Sequence, residues 1–150
     1  MVVTLVYLAI QVRQNNSQLR ENAAATRAAT YQNAMDLIAG INLEIAKSPE
    51  LAKFHAISRE DFDTLSDIER TQCTSLHVNA MRAQHHIFLQ YRAGLIDEAS
   101  WQSHANGIRV VLSRSGPRFL YESWKANFSP DFVAEVDRLL EPPGPTESAA

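Results

Sequence analysis

Hydrophobic side chains recur every three or four residues along most of this chain, which is the spacing of amphipathic helices. The N-terminus differs, because the first ten residues, MVVTLVYLAI, are almost purely apolar and the polar run QVRQNN follows at once. The large apolar side chains of this run are Val2, Val3, Leu5, Val6, Tyr7, Leu8 and Ile10. They are distributed around all sides of a helix, so the run has no polar face.

Length limits what this apolar run can be. Ten helical residues reach about 15 Å, whereas a bilayer core is about 30 Å thick and needs about 20 apolar residues. The run also lacks the basic residues before it and the cleavage site after it that a signal peptide needs. Three interpretations remain: the last half of a membrane-spanning helix, an interfacial anchor, or the buried start of a soluble helix.

The residues around the run favour the first interpretation. An interfacial anchor needs one polar face, which this run lacks. Tyr7 near the end of the run, followed by Arg13 and Arg20, is typical of a membrane exit on the positive, cytoplasmic side. We therefore interpret residues 1–12 as the C-terminal part of a transmembrane helix, and residues 13–47 as a stalk helix that merges into the domain.

Residues 48–140 are predicted to form a helical bundle. The C-terminal part of the stalk helix has an apolar face, which consists of Tyr31, Ala34, Met35, Ile38, Ile41 and Ile45. Ser48-Pro49-Glu50 then ends the long helix and begins a short one, to about residue 57, because Ser suits the N-cap and Pro the first helical position. The pattern indicates an all-α fold with the long N-terminal helix and about five shorter ones.

The longest internal helix is expected at the centre of the bundle. Ser66 and Glu69 have the spacing of a capping box, and the helix that they open runs to about Arg92 and ends at Gly94. Two opposite faces of this helix are apolar, which is typical of a helix packed between neighbours.

Three more helices follow in the sequence. Asp97 begins the first, residues 115–117 break it, and aromatic residues from Phe119 to Phe128 mark the second. A second Ser-Pro-acid start at Ser129 opens the last helix, which ends at about residue 140. Residues 141–150 are rich in Pro and are expected to be a disordered tail.

Composition excludes some classes of protein. The 150 residues are 45% hydrophobic with a net charge of −3, so we expect a globular domain and no nucleic-acid partner. Cys73 is the only cysteine, which excludes an intramolecular disulfide and fits a reducing compartment.

Several short runs resemble a family of small uncharacterised bacterial proteins. The runs are residues 6–15 (VYLAIQVRQN), 31–32 (YQ), 48–52 (SPELA), 90–95 (QYRAGL) and 128–132 (FSPDF). The resemblance implies one N-terminal transmembrane helix followed by a helical cytoplasmic domain. This chain departs from the family pattern because the first half of the span is missing, and the family implies no known reaction, so no catalytic residue is carried over.

Candidate metal ligands occur on the central helix. Cys73, His77, Met81 and His85 follow one another every four residues, and such residue types can bind a transition metal or haem. Each four-residue step turns by about 40°, so only adjacent members could share one ion. Nothing in the sequence indicates that His55 or His104 supplies a further ligand, and His85 lies in an apolar stripe, where a hydrogen-bonded core histidine is commoner than a ligand. We therefore expect neither a metal nor another cofactor.

Other candidate sites have equally plain explanations. Trp101, Tyr121 and Trp124, with Phe119 and Phe128, could line an apolar ligand pocket, although helical spacing makes such a set more typical of a core. Asp61 and Asp63 lack the Gly and Glu of a calcium loop. The sequence contains no nucleophile elbow, P-loop or dinucleotide fingerprint, so the chain looks unlike an enzyme and no catalytic residue is predicted.

Two hypotheses follow. In the first, the chain is a single-pass inner-membrane protein whose cytoplasmic helical domain acts through protein contact, with membrane lipid at its N-terminus and a second copy or another protein as partner. In the second, it is a soluble cytoplasmic bundle that binds a small molecule or metal in its core through His85, Trp101 or Trp124.

Overall fold

The computed structural model describes the backbone of residues 2–141 and the side chains of residues 6–141. This part of the chain contains six α-helices and no strand, which confirms the prediction of an all-α fold. They are α1 (Val2–Lys47), α2 (Pro49–Ser58), α3 (Asp67–Arg92), α4 (Glu98–Leu112), α5 (Ser115–Trp124) and α6 (Pro130–Leu140). Two short 3-10 turns, Phe62–Thr64 and Lys125–Asn127, precede α3 and α6. The predicted disordered tail lies outside the described residues beyond Glu141, as do the side chains of Val2, Val3 and Leu5.

The long helix α1 has two different surroundings along its length. Every side chain from residue 6 to residue 29 is exposed, whereas Ala34 is only 2% exposed and Ile38 packs against the hydrophobic core. The second half of α1 contacts α2 and α3. The predicted long N-terminal helix is therefore present, and it joins the domain from about residue 30.

The central helix of the domain is α3, which contacts α1, α2, α4 and α5. It carries buried residues on more than one face, as expected of a helix packed between neighbours. The main core cluster comprises Ala34, Met81, Ile87, Phe88, Ile96, Trp101, Ala105, Ile108, Leu112, Tyr121, Phe132 and Val136.

One predicted boundary is shifted. Residues 115–117 were expected to separate two helices, but α5 already begins at Ser115, so Gly116 and Pro117 lie in its first turn. Backbone N–H groups of the first turn have no partner within the helix, so Pro costs no hydrogen bond there. The break between α4 and α5 is confined to residues 113–114.

The N-terminus of α3 has the predicted capping box. The Ser66 hydroxyl accepts a hydrogen bond from the backbone N–H of Glu69, and the Glu69 carboxylate accepts one from the backbone N–H of Ser66 at 2.8 Å. The hydrogen bonds that the Glu69 carboxylate accepts from the Ser66 backbone N–H and hydroxyl lower the pKa of this carboxyl. Two otherwise unpaired donors are thereby satisfied.

Replacing Ser66 with alanine is therefore expected to lower the free energy of unfolding by about 1 kcal/mol. Urea denaturation of the two proteins measures this difference. Ser75→Ala is the control, because Ser75 lies inside the same helix and is exposed, with its hydroxyl bonded to the carbonyl of Thr71. Equal losses in the two variants would contradict the capping role.

Candidate functional site

The most unusual surface of the molecule is the exposed part of α1, residues 6–29, which we call the free arm. Its N-terminal end carries five large apolar side chains, each more than half exposed. This group, called the apolar tip, comprises Val6, Tyr7, Leu8, Ile10 and Val12. Successive helical residues are rotated by 100°, so the tip is apolar on every side. Within residues 2–141, no helix is both long and apolar enough to cross a membrane.

The candidate metal ligands of α3 do not meet. Cys73 and His77 are buried beside α2, Met81 belongs to the main core, and His85 lies against α6. Across residues 2–141, no three His, Cys, Asp or Glu side chains are grouped so that they could hold a metal ion. His104 lies elsewhere, with its ring against that of Tyr31. The four-residue spacing of these side chains along α3 therefore does not bring them together into one metal site.

A buried polar cluster joins the end of α2 to α3. Ser58 is fully buried, and its hydroxyl donates a hydrogen bond to the carbonyl of His55 at 2.9 Å. Because that hydroxyl proton is already used, the contact of 3.3 Å with His77 Nε2 has the imidazole N–H as donor. The rings of His55 and His77 stack with their centroids 5.2 Å apart.

The electrostatics of this cluster keep its members uncharged. Burial, with smaller contributions from His55 and Arg59, lowers the pKa of His77 to about 4. Burial likewise raises the pKa of the Cys73 thiol. A fully buried thiol with a raised pKa is a poor nucleophile. Although serine and histidine are in contact here, Ser58 and Cys73 are fully buried, and the cluster suits packing better than catalysis.

His85 is half-buried and contacts residues at the start of α6. Its Nε2 lies 2.9 Å from the Ser129 hydroxyl and accepts a weaker hydrogen bond from the Ser129 backbone N–H. Its ring packs against Phe128 and Phe132. Burial lowers the pKa of His85, so the neutral ring links α3 to the start of α6.

The aromatic candidates are divided between two places. Tyr121 and Trp124 line a largely apolar cavity of about 30 Å³ between α3, α4 and α5. A cavity of that volume has room for about two water molecules, which is too little for an organic ligand. Phe128 also lines it, whereas Phe119 is 57% exposed and packs against Phe62.

Trp101 instead forms the floor of an open groove of about 560 Å³ between α3, α4 and α6. Its indole stacks on the ring of Tyr91 at 5.5 Å, and its N–H donates to the Glu135 carboxylate at 3.4 Å. Four charged side chains of the groove form ion pairs, Arg138 with Glu135 at 2.7 Å and Arg92 with Asp131 at 3.4 Å. The fifth, Glu98, accepts hydrogen bonds from Tyr91 and Gln102. The groove is large enough for a small molecule.

The acidic stretch before α3 has a structural role. Asp61 is the N-cap residue of the turn Phe62–Thr64, and its carbonyl accepts a hydrogen bond from the Thr64 hydroxyl. Asp63 lies in the same turn and is exposed.

Sequence reasoning missed two residues, Ser58 within the buried polar cluster and Gly116 beside it. Ser58 was not singled out, because a serine in the last turn of a helix carries no pattern of its own. Gly116 was interpreted as a helix breaker, whereas its backbone N–H faces the carbonyl of Arg59 at 3.4 Å, and an added Cβ would lie 1.6 Å from the carbonyl oxygen of Ser58. It is therefore the point at which α5 touches the end of α2.

Comparison with models of known protein families, with curated proteins and with solved structures finds no match to this chain. The resemblance to small bacterial membrane proteins stays a prediction, and geometry is the basis for proposing a function.

Proposed function

We propose that this chain is a helical module that acts through protein contact and is tethered to the cytoplasmic face of the cell inner membrane by the N-terminal end of α1. The observation that carries the proposal is the apolar tip, whose five side chains are 51–61% exposed. Contiguous apolar surface of this kind marks a site of protein or membrane contact.

The distribution of the apolar side chains favours lipid over protein at the tip. A protein partner covers one side of a helix, whereas lipid surrounds it, and here Val6, Tyr7 and Leu8 lie on three different sides. Tyr7 suits the level of the lipid headgroups, and Arg13 at the polar end of the tip suits the anionic cytoplasmic surface.

The interior of the domain supports contact rather than chemistry. Among the described residues, the side chains with catalytic potential that α3 brings together, Cys73 and His77, are buried and uncharged. A catalytic group must reach its substrate, whereas Cys73 is fully buried and His77 is only 7% exposed. The remaining distinctive surface is the free arm.

Flotation with vesicles of phosphatidylcholine and phosphatidylglycerol tests the tether. We expect the chain to float with the vesicles, and Leu8→Gln to lower its partition coefficient onto the vesicles about thirtyfold, because burying one leucine contributes about 2 kcal/mol. Leu43→Gln is the matched control, since Leu43 lies on the same helix and is about as exposed as Leu8, at 52% against 57%. It lies beyond the tip and should leave flotation unchanged.

Two results would refute the tether. One is a wild-type chain that stays at the bottom of the gradient with the unbound protein. The other is equal loss of flotation in the two glutamine variants, which would show that the tip has no special role. Far-UV circular dichroism confirms that the variants remain folded, as expected for exposed positions.

The groove over Trp101 supports a second candidate function, binding of a small molecule by the bundle. Its volume and aromatic floor favour this alternative, while the ion pairs and hydrogen bonds within it already satisfy its charged groups. Untagged protein, denatured and extracted, should release a bound compound in stoichiometric amount that mass spectrometry detects. If intact protein releases none and its absorption spectrum is that of Trp and Tyr alone, this alternative fails.

A further inference from the structure

The free arm carries a line of side chains whose spacing alternates between three and four residues. Its members are Ala9, Val12, Asn16, Leu19, Ala23 and Thr26, and the line continues through Thr30 and Asn33 to Leu37. Alternate spacing of three and four is that of the a and d positions of a coiled coil, and the line, which we call the seam, extends over about four heptads. Beyond residue 11, the large apolar side chains of the free arm are Val12 and Leu19, and both lie on the seam.

The seam remains uncovered beside the domain. Leu37 is 49% exposed although Ala34 and Ile38, its neighbours in sequence, pack into the domain. At 100° per residue, the face through which Tyr31, Ala34 and Ile38 contact the domain lies roughly a quarter of a turn away from the seam. A second helix can therefore lie along the seam without displacing the domain.

We infer that the seam binds the seam of a second copy of this chain, and that the two helices form a parallel two-stranded coiled coil. The inference rests on the proposed function for the role of protein contact, and it names the partner. It can be tested separately from the membrane tether, because the seam continues beyond the tip to Leu37 and its pairing needs no lipid, although Val12 belongs to both.

The basic residues of the free arm favour the parallel orientation. Arg13, Arg20 and Arg27 each follow a d residue and occupy the e position of successive heptads. In a parallel pair, position e faces position g of the partner helix, where Asn15 and Asn22 offer amide oxygens to the guanidinium groups. In an antiparallel pair, e faces e, so arginine would oppose arginine.

Asn16 identifies the partner as an identical helix. An asparagine at an a position needs a polar group at the same level across the seam, and its own counterpart supplies one in a parallel, in-register pair. Such an asparagine fixes register and two-stranded assembly at a cost in stability. A different partner would need a polar residue at that same level.

The same composition makes the coiled coil weak in free solution. Four of the nine seam positions hold Asn or Thr, at residues 16, 26, 30 and 33, and the large apolar members are Val12, Leu19 and Leu37. Alanine at residues 9 and 23 lets the helices approach closely but buries little apolar area. Association is therefore expected to depend on concentration. Parallel helices place both apolar tips at the same end, so a shared membrane would raise their effective concentration.

Disulfide cross-linking in solution, without lipid, tests the seam. Ala9→Cys and Ala23→Cys place a thiol at a positions, whereas Ala25→Cys places one on the opposite side of the same helix. Under mild oxidation at high protein concentration, we expect both seam variants to form covalent dimers at least tenfold faster than Ala25→Cys. The unmodified chain sets the background, because Cys73 is fully buried.

The pair of seam variants also tests orientation, since an antiparallel pair can bring at most one of residues 9 and 23 beside its own counterpart. Efficient cross-linking at one of the two only would overturn the parallel arrangement, and equal rates at all three positions would overturn the seam. Failure of flotation with unchanged cross-linking would refute the tether and leave the coiled coil intact.

Sedimentation equilibrium of an Asn16 variant gives an independent measurement. Asn16→Leu removes the polar a residue, so we expect at least tenfold tighter association together with assemblies larger than two chains. Gln14→Leu introduces the same side chain at the outward f position and should leave association unchanged. If the two variants associate equally, adventitious hydrophobic contact explains the result and the seam is refuted.

Discussion

Gly116→Ala is expected to lower the free energy of unfolding by about 3 kcal/mol or more, because the added methyl group has no room. The atom that it meets, at 1.6 Å, is the backbone carbonyl oxygen of Ser58, which cannot rotate away as a flexible side chain would. The start of α5 must therefore move away from the end of α2. Such a movement also disturbs the hydrogen bond of Ser58 with His77.

Thermal and urea denaturation measure this loss, which corresponds to a fall in melting temperature of about 6–12 °C for a chain of this size. Gly107→Ala is the matched control. Gly107 lies inside α4, and an added Cβ would have nothing within 4 Å. Because alanine favours a helix over glycine, the control should gain about 0.5–1 kcal/mol. A Gly116 variant as stable as wild type would show that the helices are not in close contact there.

Acidification is expected to destabilise the domain through His77. In the unfolded chain this imidazole has its ordinary pKa near 6.5, whereas burial lowers the folded value to about 4. Between these two pH values the unfolded state binds more protons, so stability is fully present above pH 6.5 and decreases as the pH falls towards 4. Linkage gives about 2 kcal/mol lost between pH 7.5 and pH 5 from this group.

The groups that face His77 act in the same direction. The pKa of the neighbouring His55 is also lowered by burial and by the charge of Arg59, so its protonation is disfavoured in the folded state. Ser58 supplies a neutral contact, and Cys73, whose pKa is raised, is uncharged throughout this range. None of these groups offers a negative charge to a protonated His77.

Urea denaturation at pH 7.5, 6 and 5 checks this prediction. His77→Gln keeps an N–H donor for Ser58 and lacks a titrating ring, so its stability should fall much less over this range. His86→Gln is the control. His86 lies on the exposed face of the same helix, so this variant should lose stability with falling pH as the wild type does. The prediction is wrong if His77→Gln and the wild type lose stability in parallel.

Local signals in the sequence were sufficient to locate most of the helices. Ser48 and Ser66 act as N-caps where their spacing to Glu50 and Glu69 suggested, because a cap involves only residues within one turn. The core face of α1 through Ala34 and Ile38 likewise follows from periodicity. These features depend on neighbours in sequence and need no knowledge of the rest of the fold.

Contacts between helices were beyond such reasoning. The four-residue spacing of Cys73, His77, Met81 and His85 suggested one ligand set, but successive members turn towards different neighbours, so α2 surrounds one end and α6 the other. Ser129 shows the same limit, because it repeats the sequence of the Ser48 cap while its hydroxyl bonds to His85. Only the three-dimensional partner decides between these roles.

Because α1 is one uninterrupted helix, its length sets both the distance from the apolar tip to the domain and the orientation of the domain about the helix axis. From residue 10 to residue 30 the helix advances about 30 Å, and each inserted residue adds about 1.5 Å while turning the domain by 100°. An insertion of four residues would lengthen the arm by about 6 Å and turn the domain by about 40°. An insertion of seven would lengthen it by about 10 Å and nearly restore the original orientation. Position and orientation of the domain are thus set together by residue number alone.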